Sequence, residues 1–383
     1  MRRPNRSDSI TTDLRVGIFH PWTLSRDASG LCVYTRQLAK SLSKRTPTEL
    51  YSIEGEIPDE IEESPLAVNT ITFRAIDPPL SFPSGTPVVV SHQLNRYLYY
   101  SKSLTQGVRD HIRHNVDLIV TNDYLDEIFI SRVIGVPTVR IIHGKQYGIG
   151  NTIRKSFSRS LATVANSTHT AQSVNNSSTY ISGIVPPGVN LERFHPNYPP
   201  SFCTNSFDVL YAGRITDGKG AFDIIRAISQ LSSDVTLHIV GRGQIDRAMN
   251  LANQLGIENR ITFHGTVDHE MMPRYYAACD VFCNPSHYES FGIVNIEAMA
   301  CGVPVVTSDL DGVQEYLSNG ETGMVFCAGD VDALATVIER LVTSPGLRKD
   351  LGKNGKEVAK EYSWDASAKK LLHILHQVTG TVN

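Results

Sequence analysis

No apolar run in the 383-residue chain approaches the ~18 residues that a membrane-spanning helix needs. Cysteine is scarce: Cys32, Cys203, Cys279, Cys283, Cys301 and Cys327 form no C-x-x-C pair. That excludes a disulfide scaffold and a zinc finger, and the six read as reduced, mostly buried small side chains. The histidines show no H-x-x-x-H spacing, so no metal site is expected. The opening MRRPNRSDSITTD is basic but leads into no apolar stretch. It reads as a flexible tail over 1–13 rather than a secretory signal. Acidic residues are missing between Glu127 and Glu192, where Arg132, Arg140, Lys145, Arg154, Lys155 and Arg159 stand. The net charge of −3 is therefore uneven, +3 over 14–190 and −7 over 191–383. The balance is too acidic for a dedicated nucleic-acid binder, and no nucleic-acid partner is expected. An anionic partner for the first half and a merely solvated surface account equally well for the basic stretch.

What the chain does contain is alternation. Short β-branched runs recur at 14–19, 87–91, 117–121 and 137–142, then at 207–213, 235–241, 280–285 and 303–308. Helical spacing lies between them, as in LCVYTRQLAKSL (31–42) and AFDIIRAISQL (221–231). Strands apolar throughout and flanked by helices are buried and parallel. The expectation is a doubly wound α/β fold with ligands at the carboxyl ends of the strands. Five prolines in 186–206 mark a break. This divides the chain into a first domain at 14–190, a linker at 191–206 and a second domain at 207–363. A C-terminal amphipathic helix at 364–383 is expected to pack back toward the first domain.

Three glycine-rich strand-to-helix turns carry the chemistry. In Gly213-Arg-Ile-Thr-Asp-Gly218-Lys-Gly220, Arg214 and Lys219 add charge where a helix N-terminus already favours phosphate. A tight turn with two solvated cations is the plainer reading. The turn Gly241-Arg-Gly243 lacks the third glycine and the acidic residue of a dinucleotide fingerprint, so it is weak evidence for a dehydrogenase. The third, PSHYESFGIVNIEA (285–298), places Glu289 before a helix opening near Gly292 and Glu297 inside that helix. A carboxylate beside a phosphate site suits hydroxyl-bearing sugars and riboses. Otherwise Glu289 is a helix N-cap and Glu297 a helix-surface residue.

These segments resemble the retaining family-4 glycosyltransferases of the GT-B fold. YAGRITDGKG is similar to their phosphate-binding turn, ESFGIVNIE to their E-x7-E element, and AMACGVPVVTSDLDGVQEYL to the segment after it. FHGTV (263–267) resembles the base-side loop and VPPGVNLERFHP (185–196) the interdomain linker. Ser29-Gly30 matches a glycine loop that often has two glycines, and His143 in IIHGK matches an active-site histidine.

The resemblance implies two Rossmann-like doubly wound domains facing across a cleft, and a sugar moved with retention from a nucleotide-diphosphate sugar to a hydroxyl. It implies Glu289 and His143 as catalytic residues. The donor would be bound by Gly30, Arg214, Lys219, Gly241, Val267, Ser290, Phe291, Gly292, Ile293 and Glu297. No cofactor is implied beyond the UDP- or GDP-linked co-substrate, and the acceptor would be a glycan, glycolipid or lipid-linked intermediate of cell-surface polysaccharide synthesis. The expected location is cytoplasmic, with peripheral contact at the inner membrane face. Alternatives are an inactive nucleotide-sugar-binding homologue and an epimerase or hydrolase of the nucleotide sugar. Asp309-Leu-Asp311 spells a D-x-D, but it follows a strand of a doubly wound domain and is not assigned a metal. In 145–161, Ile153, Phe157 and Leu161 at i, i+4 and i+8 are flanked by basic residues. Such a helix suits an anionic membrane surface; packing of the stripe into the first domain's core is the alternative, and the favoured one.

Overall fold

The computed structural model describes residues 14–20, 24, 30–53, 57, 59–62, 64–71, 106–122, 124–144, 158–175, 180–232 and 234–380. The tail, the 87–91 run, Ser29 and the 145–157 part of the amphipathic stretch lie outside the described residues.

Two parallel sheets form two α/β domains. The first has seven strands: β1 (Val16–Phe19), β2 (Thr48–Ile53), β3 (Ala67–Ile71), β4 (Leu118–Thr121), β5 (Thr138–Ile142), β6 (Ala162–Ala165) and β7 (Gly183–Ile184). Their spatial order is β3-β2-β1-β4-β5-β6-β7. The second has six: β8 (Phe207–Ala212), β9 (Val235–Val240), β10 (Ile261–Gly265), β11 (Val281–Asn284), β12 (Val305–Ser308) and β13 (Met324–Phe326), in the order β10-β9-β8-β11-β12-β13. Every pairing between these strands is parallel.

The strands foreseen from apolar runs within the described residues are present. β2, β3, β6, β7, β10 and β13 are additional. Sequences such as TELYSI and ITFHG mix polar and apolar residues, and lateral pairing rather than composition makes them strands. The cysteines also differ from the expectation. All six are reduced, but only Cys32, Cys283 and Cys301 are buried, while Cys203 and Cys327 are exposed. Both exposed ones lie outside helices and strands, where nothing packs over them.

Each sheet has its own core. Helix Ala221–Gln230 buries Phe222, Ile224, Ile225 and Ile228 against the second sheet, the stripe its helical period predicts. The last helix, Trp364–Gly380, puts Trp364, Ala368, Leu371 and Leu375 into the core of the first sheet beside helix Gly30–Ser43. The chain thus crosses between domains twice. The crossings touch: Val189 N donates to Tyr362 O at 2.8 Å, Val189 bridges to Ser363, and Ser367 Oγ donates to Pro186 O at 2.7 Å.

Leu371 is fully buried in the first domain's core. Leu371→Ala is expected to cost about 2–5 kcal/mol, with Lys370→Ala on the exposed face of the same helix near neutral. Urea denaturation of both variants checks this, and equal midpoints would contradict the packing.

Candidate active site

In each sheet the strand order reverses once, between β1 and β4 and between β8 and β11. Crossovers leave such a point in opposite directions, so the turns after those strands flank an open crevice. The turns after β8 and β11 are the ones bearing Arg214 and Lys219 and bearing Glu289 to Ile293.

These two turns are locked together. Lys219 Nζ lies 2.8 Å from Glu289 Oε2. His287 N donates to Gly218 O at 3.1 Å, and His287 Nε2 meets Asp223 Oδ2 at 2.6 Å. Arg214 is exposed on the first turn, whose shape is held by Tyr211 Oη donating to the Arg214 carbonyl at 2.7 Å. Gly241 lies behind it, with Gly241 N donating to Gly265 O and Gly213 N to Val240 O.

The helix after the second turn runs Ile293–Ala300, with Gly292 as its N-cap at φ +87°. A β-carbon at Gly292 would fall 3.0 Å from Asn295 Nδ2 and 3.1 Å from both Glu289 Cγ and Tyr316 Oη. Only glycine fits both the backbone and the space. Glu289 is therefore not the N-cap, and its carboxylate is turned to Lys219. Ser290 and Ile293 are half-buried at the helix mouth, where first-turn N–H groups lack intrahelical acceptors. Phe291 is buried, its carbonyl accepting from Tyr316 Oη at 2.6 Å. Tyr316 Oη in turn accepts from Asn295 Nδ2 at 2.8 Å, and Asn284 Nδ2 donates to Asn295 Oδ1 at 3.0 Å. This buried polar chain fixes the turn's shape.

Glu297 is not on the helix surface; it is 3% exposed. Its Oε1 is 2.6 Å from His269 Nε2, and Tyr276 Oη donates to its Oε2 at 3.2 Å. Half-buried Val267 lies two residues before His269 on the loop after β10.

Across the crevice, His143 follows β5. Its Nε2 is 2.7 Å from Asn122 Oδ1, and the Tyr34 ring packs against it edge-on at 4.6 Å. Burial, reinforced by the neighbouring His20, lowers its pKa to about 3. The adjacent Gly144 lies under the turn after β11, since a β-carbon there would come 3.0 Å from Tyr288 Oη. Gly30 opens helix Gly30–Ser43, and a β-carbon on it would meet nothing within 4 Å.

Sequence reasoning missed Asn122, His269, Tyr276, Asn295 and Asp223. Asn295 stands inside ESFGIVNIE as a polar residue on an apolar helix, which was a usable signal; the others carry none. Asp309 and Asp311 diverge, Asp309 accepting from Gln314 Nε2 and Asp311 reaching His169. Among the described residues no group of three ligands could hold a metal ion.

Residues 201–358 match the family profile described as glycosyl transferases group 1. A D-inositol 3-phosphate glycosyltransferase of Xylanimonas cellulosilytica is 30% identical over 213 residues, 51% of this chain and 51% of that one. The match therefore spans about half of that relative's length. The fold is shared with sucrose-phosphate synthase from Thermosynechococcus elongatus, with TM-score 0.78 and 23% identity over 96% of this chain and 100% of the other. It is also shared with Anabaena HepE, solved with UDP and glucose, with TM-score 0.75 and 20% identity over 96% and 99%.

A histidine whose pKa is depressed on folding takes up its proton first in the unfolded chain. Its contribution is whole above the unfolded pKa of ~6.5 and is lost as pH falls toward 3. His143→Gln is expected to flatten the loss of unfolding free energy between pH 7 and pH 5. Denaturant titrations at several pH values measure this, and parallel slopes for both proteins would refute it.

Proposed function

Because residues 201–358 match the group 1 glycosyl transferases and the whole chain shares the GT-B fold, we propose that it is a retaining, metal-independent glycosyltransferase. It moves a sugar from a nucleoside-diphosphate sugar to a hydroxyl acceptor. The observation that carries this reading is the meeting of Lys219, Glu289 and the Ile293 helix mouth at the second sheet's switch point, opposite His143.

The leaving group is a nucleoside diphosphate, and what speeds departure is fixed positive charge where negative charge develops. Lys219, Arg214 and the helix-mouth N–H groups supply it. An ammonium has three donors, so Lys219 can keep Glu289 and still reach a phosphate oxygen. Glu289 holds the reacting sugar and faces the positive charge that grows at the anomeric carbon. The hydroxyl attacks from the face the diphosphate leaves, which retains configuration. Glu297 takes the ribose hydroxyls, held in place by His269 and Tyr276. Neutral His143 serves the reacting sugar and acceptor as a hydrogen-bonding group.

UDP in the Anabaena structure favours a uridine donor, and the inositol relative favours a polyol or glycolipid acceptor. Cytoplasmic location and peripheral contact with an anionic membrane belong to the same reading. The basic excess of the first half supports them, and no described helix is long and apolar enough to cross a bilayer.

The test is a screen of UDP-, GDP- and ADP-sugars with and without glycan and glycolipid acceptors, read by product stereochemistry. An α-linked product from an α-linked donor is expected. Sugar released to water alone identifies a hydrolase, and no turnover with nucleotide binding intact identifies an inactive homologue.

Two further outcomes follow from the assigned charges. Because Lys219 and Arg214 carry the leaving-group charge, activity is expected to survive EDTA, and a loss restored by Mg²⁺ or Mn²⁺ would overturn that assignment. Glu289→Gln is expected to lower kcat about 100-fold, the equivalent of ~3 kcal/mol of transition-state stabilisation. Glu297→Gln, losing contacts common to ground and transition states, mainly raises donor KM. Steady-state donor kinetics separate the two, and identical effects would refute the division of roles.

A further inference from the structure

Helix Thr168–Asn175 belongs to the first domain, yet the second domain finishes its N-terminus. Thr170 N is capped from within by Ser167 Oγ at 3.0 Å. His169 N instead donates to Glu315 Oε1 at 3.1 Å, and Thr168 also hydrogen-bonds this carboxylate through its backbone and side chain. A second contact lies beside it, His169 Nδ1 to Asp311 Oδ2 at 3.1 Å. A helix N-terminus leaves several N–H groups without intrahelical acceptors, and an anion there gains from the helix dipole. Here that anion is 146 residues away in sequence and sits on the other domain.

The segment carrying Glu315 is also fixed to the donor-side turn. Gly312 packs on it so closely that a β-carbon would fall 2.5 Å from Glu289 O and 2.7 Å from Ser290 O. Tyr316, next to Glu315, holds the Phe291 carbonyl, and Tyr362 Oη donates to the Glu315 carbonyl at 2.8 Å. Residues 311–316 therefore touch the Glu289 turn on one side and the first domain's helix on the other.

We infer that Glu315 is a positioning residue, an interdomain clasp that holds the first domain against the Glu289 turn so that His143 and Glu289 face one crevice. The inference rests on the proposed transfer reaction for its kinetic consequence, but not for its geometric one. Only the clasped population has donor and acceptor groups in reach, so kcat scales with that fraction. Groups assigned to donor binding lie almost entirely on the second domain, so affinity for the nucleotide does not depend on the clasp.

The test uses the full chain. Glu315→Ala is expected to open the molecule, seen as a larger radius of gyration in small-angle scattering. It is expected to lower kcat about tenfold while leaving donor KM and UDP affinity within about twofold. Glu315→Gln keeps an acceptor oxygen and is expected to recover most of kcat. Thr168→Pro, tolerated at a first helical position, removes both of that residue's donors to Glu315, the backbone N–H and the hydroxyl, leaves the His169 N–H, and shifts scattering in the same direction. If Glu315→Ala misfolds, Glu315→Gln and Thr168→Pro still decide, since the clasp requires both to fall between wild type and open. Scattering curves that superimpose for all variants overturn the clasp. Absence of transfer by the wild type with every nucleotide sugar overturns the functional reading instead, and scattering then judges the clasp alone.

Discussion

The reversal of strand order is the constraint on which the rest depends. Between β8 and β11 no crossover helix covers the crevice, because the chain leaves the two strands in opposite directions. The turns after them are left facing each other across that gap. In this chain the gap is closed by charge: Lys219 from one turn meets Glu289 from the other. The pair holds the turns in register, and each member stays available to a ligand that enters between them. Around it the supports are neutral and buried, as in Asn284, Asn295 and Tyr316, which fix the backbone without competing for the diphosphate.

Under the proposed reaction, that arrangement accounts for a carboxylate standing beside a phosphate site. Glu289 is partnered by an ammonium, so the turn presents no unbalanced negative charge to the diphosphate proposed to bind there. Glu297 is treated differently. It is buried, with one oxygen taken by His269 and the other by Tyr276, so its position is fixed in advance of the ribose proposed for it. Preorganisation of that kind is what a binding contact needs when it must not change during reaction. His143 is kept neutral by burial, which suits a group that donates or accepts a hydrogen bond close to developing positive charge.

The two-domain α/β architecture was legible because strands buried on both faces must be apolar along their length, and VPVVTS or DLIVT can be little else. Edge and mixed strands such as Thr48–Ile53 and Ile261–Gly265 were not legible, since their neighbours decide their conformation. At the site, glycine spacing and charge exposed Lys219, Glu289 and the helix opening at Gly292. The spacing could not show that Glu289 faces Lys219 rather than capping the helix, because rotamer and partner are tertiary facts. Asn122, His269 and Glu315 were invisible for the same reason: each acts on a residue far away in sequence.

The crossover between domains ties both halves of the site to one short segment. Tyr362 packs on Phe291 and Tyr316 at 5.6 and 5.9 Å, beneath the donor-side turn. Two residues later, Trp364 packs on Tyr34 at 5.5 Å, and Tyr34 in turn supports His143 and donates to Val185 O in the other crossing. Ser363 between them bridges to Val189. Tyr362 lies in the bend before this bridge and Trp364 opens the last helix after it, so the change of backbone direction between them lets the two rings reach into opposite domains. Bending there cannot move one domain without loading an aromatic contact behind His143 or one behind Phe291. The last helix, by completing the first domain's core, anchors the far end of this segment, so the crossover is held at both ends rather than hanging as a free tether. The Glu315 contact adjoins this crossover, since Tyr362 Oη donates to the Glu315 carbonyl at 2.8 Å, so the pivot and the clasp act as one continuous support for the turn that bears Glu289.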